Sequence, residues 1–173
     1  MIESLLTNAT KRLTKTGTTR LSIILDFENA TQQTTPDAKS FEQWINAALN
    51  DRYEQAELCV RIVDEEEMTM LNRQYRGQDK ATNVLSFPAQ LPEGLEISLL
   101  GDIAICAQVI EHEAVEQNKL LESHYAHMSV HGALHLAGYD HIDDRGAIEM
   151  EALEIKILDK LGFANPYELE SKF

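Results

Sequence analysis

Leu58-Cys59-Val60-Arg61-Ile62-Val63-Asp64-Glu65-Glu66-Glu67-Met68 carries the change of period that decides the fold. Its first part is rich in β-branched and apolar residues and predicts a strand. Asp64, with Glu67 three residues on, then reads as a helix start leading into Met68, Met70 and Leu71. The run Glu65-Glu66-Glu67 resembles a cation site, but carboxylates in a helix's first turn are favoured by its dipole, and that reading is taken. Gly77 supplies the stop.

The same alternation extends in both directions. Upstream, Leu21-Ser22-Ile23-Ile24-Leu25-Asp26-Phe27 predicts a strand, and Asn29 to Ser40, rich in Thr, Gln and Asn around Pro36, predicts a surface loop. Phe41, Trp44, Ile45 and Ala48 then recur at helical spacing behind Ser40 as a candidate cap. Downstream, Val84-Leu85-Ser86-Phe87 is a strand closed by Pro88. An excursion over Pro92 to Gly94 precedes a strand from Ile97 to Cys106, where Gly101-Asp102 marks a bend or bulge. Three helices follow: Ala107 to about Gln117, Leu120 to Ala137, and Asp143 to Leu161. The order βαβαββααα predicts an α+β fold with α/β character, a single mixed sheet layered with helices.

The chain has 173 residues, 43% of them hydrophobic, which suits one domain able to bury a core without metal or disulfide struts. A metal, if present, is therefore expected to serve chemistry. The net charge of −14 argues against broad non-specific affinity for nucleic acid, while allowing a local basic cleft. Residues 1–20 differ: Lys11, Arg12, Lys15 and Arg20 against Glu3 make a basic arm, and 21–173 is read as a single catalytic domain. No apolar run is long enough for a secretory signal or a membrane span. Cys59 and Cys106 lie singly in strand-like stretches without metal or redox spacing, so the cytoplasm is the expected compartment.

The chemistry concentrates on the second of the three C-terminal helices. His124, His127, His131 and His135 fall at spacings of three, four and four, which places them within a stripe about 80° wide. Gly138 favours a left-handed stop that returns the chain and carries His141 toward the same face. His131, His135 and His141 are thus candidates to converge on one ion, on a helix of the C-terminal half and the turn after it, leaving a fourth position open. Offsets of 0, +4 and +10, with glycine at +7, reproduce the spacing of H-E-x-x-H-x-x-G-x-x-H metalloproteases. Gly132 stands where those enzymes place their general-base Glu, which makes peptide cleavage doubtful.

His131-Gly132-Ala133-Leu134-His135-Leu136-Ala137-Gly138-Tyr139-Asp140-His141 resembles the signature of the YbeY family of endoribonucleases, zinc-dependent bacterial enzymes of ribosomal RNA maturation. Two further blocks are similar to that family: Tyr75-Arg76-Gly77 through Asp79 with Thr82-Asn83-Val84-Leu85-Ser86-Phe87-Pro88, and Gly101-Asp102-Ile103-Ala104-Ile105-Cys106. The similarity runs from about Ile23 to Tyr167. Ala81 departs from it, since the family usually has proline before Thr-Asn-Val-Leu-Ser-Phe. The resemblance implies that His131, His135 and His141 hold zinc and that Arg76 lines the active cleft. It also implies a single-stranded RNA substrate in ribosomal RNA processing, with the ribosomal subunit or its proteins as partners.

Each of these residues also has a physical reading of its own. A guanidinium at position 76 offers forked donors to phosphate oxygens, although an arginine near a helix C-terminus also suits the dipole and solvent. Zinc on three neutral histidines lowers the pKa of coordinated water to about 7, which answers the missing Glu; nickel, copper or iron also accept three imidazoles. With the resemblance added, catalytic roles are expected for Arg76 and His131. Asp140 can hold the His141 tautomer or form a turn; Asp143 and Asp144 are caps, and Arg73 and Lys80 are possible helpers of Arg76. His127 is left outside the ligand set. Two other functions remain: an assembly factor with a structural metal closed by a fourth ligand such as His127, and an amide hydrolase whose base is Asp140, Glu151 or Glu154. The two glutamates otherwise read as a solvated helix face.

Overall fold

The computed structural model describes residues 22–94 and 97–168, so the basic arm of residues 1–20 lies outside the described residues. The elements are β1 (Ser22–Asn29), α1 (Ala38–Leu49), β2 (Gln55–Val63), α2 (Glu65–Arg76), β3 (Val84–Pro88), β4 (Leu99–Cys106), α3 (Ala107–Glu116), α4 (Leu121–Leu136) and α5 (Asp144–Lys160). The predicted order holds. The strands form one mixed sheet in the order β1-β2-β4-β3, with β1, β2 and β4 parallel and β3 antiparallel to β4. This is an α+β fold.

Local chemistry sets the boundaries. Asp37, not Ser40, caps α1: its carboxylate accepts from the Ser40 backbone N–H at 2.9 Å and from the Ser40 hydroxyl at 2.8 Å. The helix therefore begins earlier than the apolar spacing suggested, because a carboxylate outside the first turn receives those amides as well as serine would. Asp64 caps α2 by accepting from the Glu67 N–H at 2.9 Å, and Gly77 ends it with φ of 67°. Glu67 does not reach back to the cap; it pairs with Arg61 of β2 at 2.9 Å. The acidic run is thus a dipole-matched first turn joined to the sheet by a salt bridge. β4 begins at Leu99 rather than Ile97, and the irregularity expected at Gly101-Asp102 is real. The β2–β4 register slips between Glu57 and Leu58, opposite Leu99 and Gly101. Gly101 has φ of 138°, and a Cβ there would lie 2.1 Å from the Phe87 carbonyl oxygen.

Alternation along the strands divides the sheet into two apolar faces. Val60, Ile62, Ile103 and Ile105 meet Phe41, Trp44 and Ile45 of α1 and Tyr125, Val130, Ala133 and Leu134 of α4. Val63, Leu85, Ala104 and Cys106 meet Met68 of α2 in a smaller cluster. Each large side chain fully buried in these layers contributes about 1.5–3 kcal/mol relative to exposure. Cys59 and Cys106 are buried and free, and burial raises the Cys59 thiol to about 11, which makes it inert. No described helix is long and apolar enough to cross a membrane.

Helix α4 is the hub. It is buried on most of its circumference, sandwiched between the sheet, α1, α3 and α5. Close approach to the sheet is what Gly132 allows, since a Cβ there would meet Ile103 Cγ2 at 3.0 Å and Ser86 Oγ at 3.2 Å. The Ser86 hydroxyl instead donates to the Gly132 carbonyl at 3.1 Å. The position that holds a Glu in the metalloprotease pattern thus faces packed sheet.

Candidate metal centre

The histidine stripe divides into two pairs. At its buried N-terminal end, His124 bonds to Glu113 of α3 at 2.6 Å and His127 to Glu154 of α5 at 3.1 Å. Burial pushes the His127 imidazole below its ordinary pKa despite Glu154. With Nε2 committed, His127 is not placed as a ligand. At the other end, His131 and His135, one turn apart, bring their Nε2 atoms to 3.0 Å from each other in a half-buried position.

Gly138 turns the chain as expected, with φ of 93°. Its N–H donates to His135 O at 3.0 Å and the Tyr139 N–H donates to Leu134 O at 3.0 Å. The reversal brings the His141 ring to 4.9 Å from that of His135 and 5.7 Å from that of His131. One ligand-type nitrogen from each of the three lies within 4.8 Å of the other two.

Tautomers follow from the partners of the remaining nitrogens. The Tyr139 carbonyl, 2.9 Å from His135 Nδ1, can only accept, so that nitrogen carries the proton. Glu154 Oε1, 2.5 Å from His131 Nδ1, imposes the same arrangement there. Both rings therefore present an Nε2 lone pair toward each other and toward His141. Burial, followed by the neighbouring His131 and His141, lowers the His135 pKa and keeps its imidazole neutral. Neutral nitrogen donors grouped on one side suit a transition-metal ion such as zinc.

Glu154 is the residue that sequence reasoning misplaced. Rather than lying on a solvated face, it is 0% exposed, and it accepts from His131, His127 and the Tyr167 hydroxyl. Burial alone would raise its pKa, yet the two imidazoles outweigh that and hold it at about 2. Its signal was present: Met150, Glu154, Ile157 and Leu158 form the buried stripe of α5, so a carboxylate sits in an apolar period. Of the two roles open to Asp140, the turn is the one observed: its carboxylate accepts from the His141 backbone N–H at 2.6 Å. Asp143 caps α5 through the Gly146 N–H at 2.6 Å, Asp144 lies in its first turn, and Glu151 is exposed.

Arg76, at the end of α2, lines a cavity of about 210 Å³ together with Ser86, Pro88, His135, Gly138, Tyr139 and Asp140. Strand β3 carries α2's terminus to the histidines, which is why residues so distant in sequence share one cleft. Arg76 has no ion-pair partner among the described residues. Arg73 does not assist it, because its guanidinium is engaged by Asp79. Lys80 does not line the cavity; its carbonyl accepts from Asn72 Nδ2 at 2.7 Å, fixing the loop after the helix.

Three imidazoles from one helix and its following turn, beside a cleft lined by an arginine with no ion-pair partner among the described residues, define the class: an α+β protein with a candidate metal centre. The sequence profile of the family described as Endoribonuclease YbeY matches residues 26–162, and the chain belongs to that family. Membership supports endoribonuclease activity in ribosomal RNA processing. The fold is also similar to the solution structure of TM1509 from Thermotoga maritima. That match has a TM-score of 0.53 and 24% identity, covering 84% of this chain and 99% of that one.

Proposed function

We propose that this family member is a zinc-dependent endoribonuclease that cleaves single-stranded RNA during ribosomal RNA maturation in the cytoplasm. The observation that carries the reading is the pair of fixed tautomers at His131 and His135, which with His141 leaves nitrogen donors grouped beside the Arg76 cavity. His131, His135 and His141 hold the ion, which when bound supplies Lewis acidity and acidifies coordinated water without a protein base. Arg76 binds the non-bridging oxygens of the scissile phosphodiester and stabilises the charge that grows on them. Tyr139 and Asp140 wall the cleft, and Ser86 seats the histidine helix against the sheet. Substrate is thus drawn to a locally cationic cleft on a protein whose net charge is −14.

The geometry favours this reading over its two rivals. His127 is not grouped with the three histidines, so among the described residues no fourth side chain closes the site. Of the bases an amide hydrolase could recruit, Glu154 has both oxygens occupied, Asp140 serves a turn, and Glu151 lies exposed on α5 and does not line the cavity. The test is metal analysis of tag-free protein, followed by cleavage of labelled oligoribonucleotides with and without chelator. We expect about one zinc per chain and chelator-sensitive cutting. Arg76→Ala should keep the metal and lose about 100-fold or more in single-turnover rate. Unchanged cleavage by Arg76→Ala, or by His131→Ala purified free of contaminating nuclease, would overturn the reading.

A further inference from the structure

The Arg76 cavity does not end at the histidines. Gly138 and Tyr139 also line a neighbouring cavity of about 330 Å³, whose other walls are Arg52, Tyr53 and Ala137. A Cβ placed on Gly138 would meet no atom within 4 Å. The two cavities adjoin along Gly138 and Tyr139, and each is lined by one arginine.

Arg52 is held in place. Its Nε and Nη2 both donate to the Tyr139 hydroxyl at 3.2 Å, and Nη1 donates to the Ala48 carbonyl at 3.1 Å near the end of α1. Its guanidinium carbon lies 4.9 Å from the Tyr139 ring centroid. Of the five N–H donors of an arginine, these contacts use three, which leaves two. Unlike Arg61, paired with Glu28 and Glu67, and Arg73, paired with Asp79, Arg52 has no carboxylate partner among the described residues. A fixed, charged fork with donors to spare, in a cavity that shares Gly138 and Tyr139 with the one beside the candidate centre, matches the chemistry of a phosphate oxygen.

We propose that Arg52 is a second phosphate-binding residue, gripping the RNA backbone across Gly138 and Tyr139 from Arg76. The inference rests on the endoribonuclease reading and deepens it: Arg76 serves the reacting phosphate, and Arg52 sets how much of the strand is held and in which direction it runs. The competing role for Arg52 is to tie the end of α1 to the Tyr139 turn. That role affects stability but not salt dependence.

The test uses the full, zinc-loaded chain and a 2′-O-methyl analogue of a single-stranded oligoribonucleotide long enough to reach both cavities, with a dinucleotide analogue as the short arm. Binding is titrated across salt concentrations for wild type, Arg52→Gln and Arg52→Lys. Arg52→Gln should weaken the long oligomer about five- to tenfold at low salt and flatten the log–log salt slope by about 0.7, the contribution of one phosphate on a single strand. Arg52→Lys should keep the slope, and the dinucleotide should not distinguish the variants. If Arg52→Gln retains wild-type affinity and slope while wild type still cleaves RNA, Arg52 is only a strut and the proposal falls alone. If wild type neither binds nor cleaves RNA, the endoribonuclease reading falls and takes the proposal with it.

Discussion

Replacing Glu154 with glutamine tests whether a buried carboxylate aims the histidines. The amide keeps the size and one acceptor for an imidazole but removes the charge. In the folded protein, bonds from His127 and His131 hold the carboxyl at about 2, against an ordinary glutamate's 4.5. At about 1.4 kcal/mol per pH unit, that gap is worth about 3 kcal/mol of stability in the metal-free protein. The sign follows from a depressed acid: the contribution is present in full above pH 4.5 and is lost as pH falls from there toward 2. Urea unfolding of metal-free Glu154→Gln should therefore show a deficit of about 3 kcal/mol at pH 7 relative to wild type. That deficit should close on acidification. Zinc affinity, read by competition with a chromophoric chelator at pH 7, should fall about 10- to 100-fold, because the His131 Nδ1 proton loses its anionic partner and the ring its fixed aim. A variant with wild-type zinc affinity and a stability difference independent of pH would refute the reasoning.

Other perturbations separate ligands from scaffold. His141→Ala should abolish tight zinc binding while shifting metal-free stability by less than about 1 kcal/mol, since the ring is exposed; a large drop in thermal midpoint would contradict this. Gly132→Glu, which restores the metalloprotease motif, should lose more than about 3 kcal/mol by urea titration and show no peptidase activity, because Ile103 and Ser86 occupy the space. Gly101→Ala should cost about 3 kcal/mol, as the Phe87 carbonyl oxygen lies 2.1 Å from the new methyl position; near wild-type unfolding would disprove the bulge geometry.

Periodicity and punctuation made the element order legible, because the strands are short and apolar and the helices carry recognisable stops at Gly77 and Gly138. The convergence of the three histidines was legible for a simpler reason: all three lie on one helix and its following turn, where spacing translates directly into space. What escaped was long-range. Glu154 belongs to another helix, and its burial depends on how α5 lies against α4, which no local pattern encodes. Arg73, a candidate helper of Arg76 by position, is instead claimed by Asp79. Asp37 outranked Ser40 because capping depends on which oxygen reaches the free amides, and several residues of that loop were eligible.

The division of labour between near and far residues bears on biogenesis. Residues 131–141 contain every nitrogen of the trio, yet the carboxylate aiming the first of them arrives only with α5. A growing polypeptide that has emerged as far as His141 carries all three imidazoles without the carboxylate that orients the first of them. If these histidines hold an ion as proposed, one captured that early would lack the partner that fixes the His131 ring, and firm retention would await docking of the last helix.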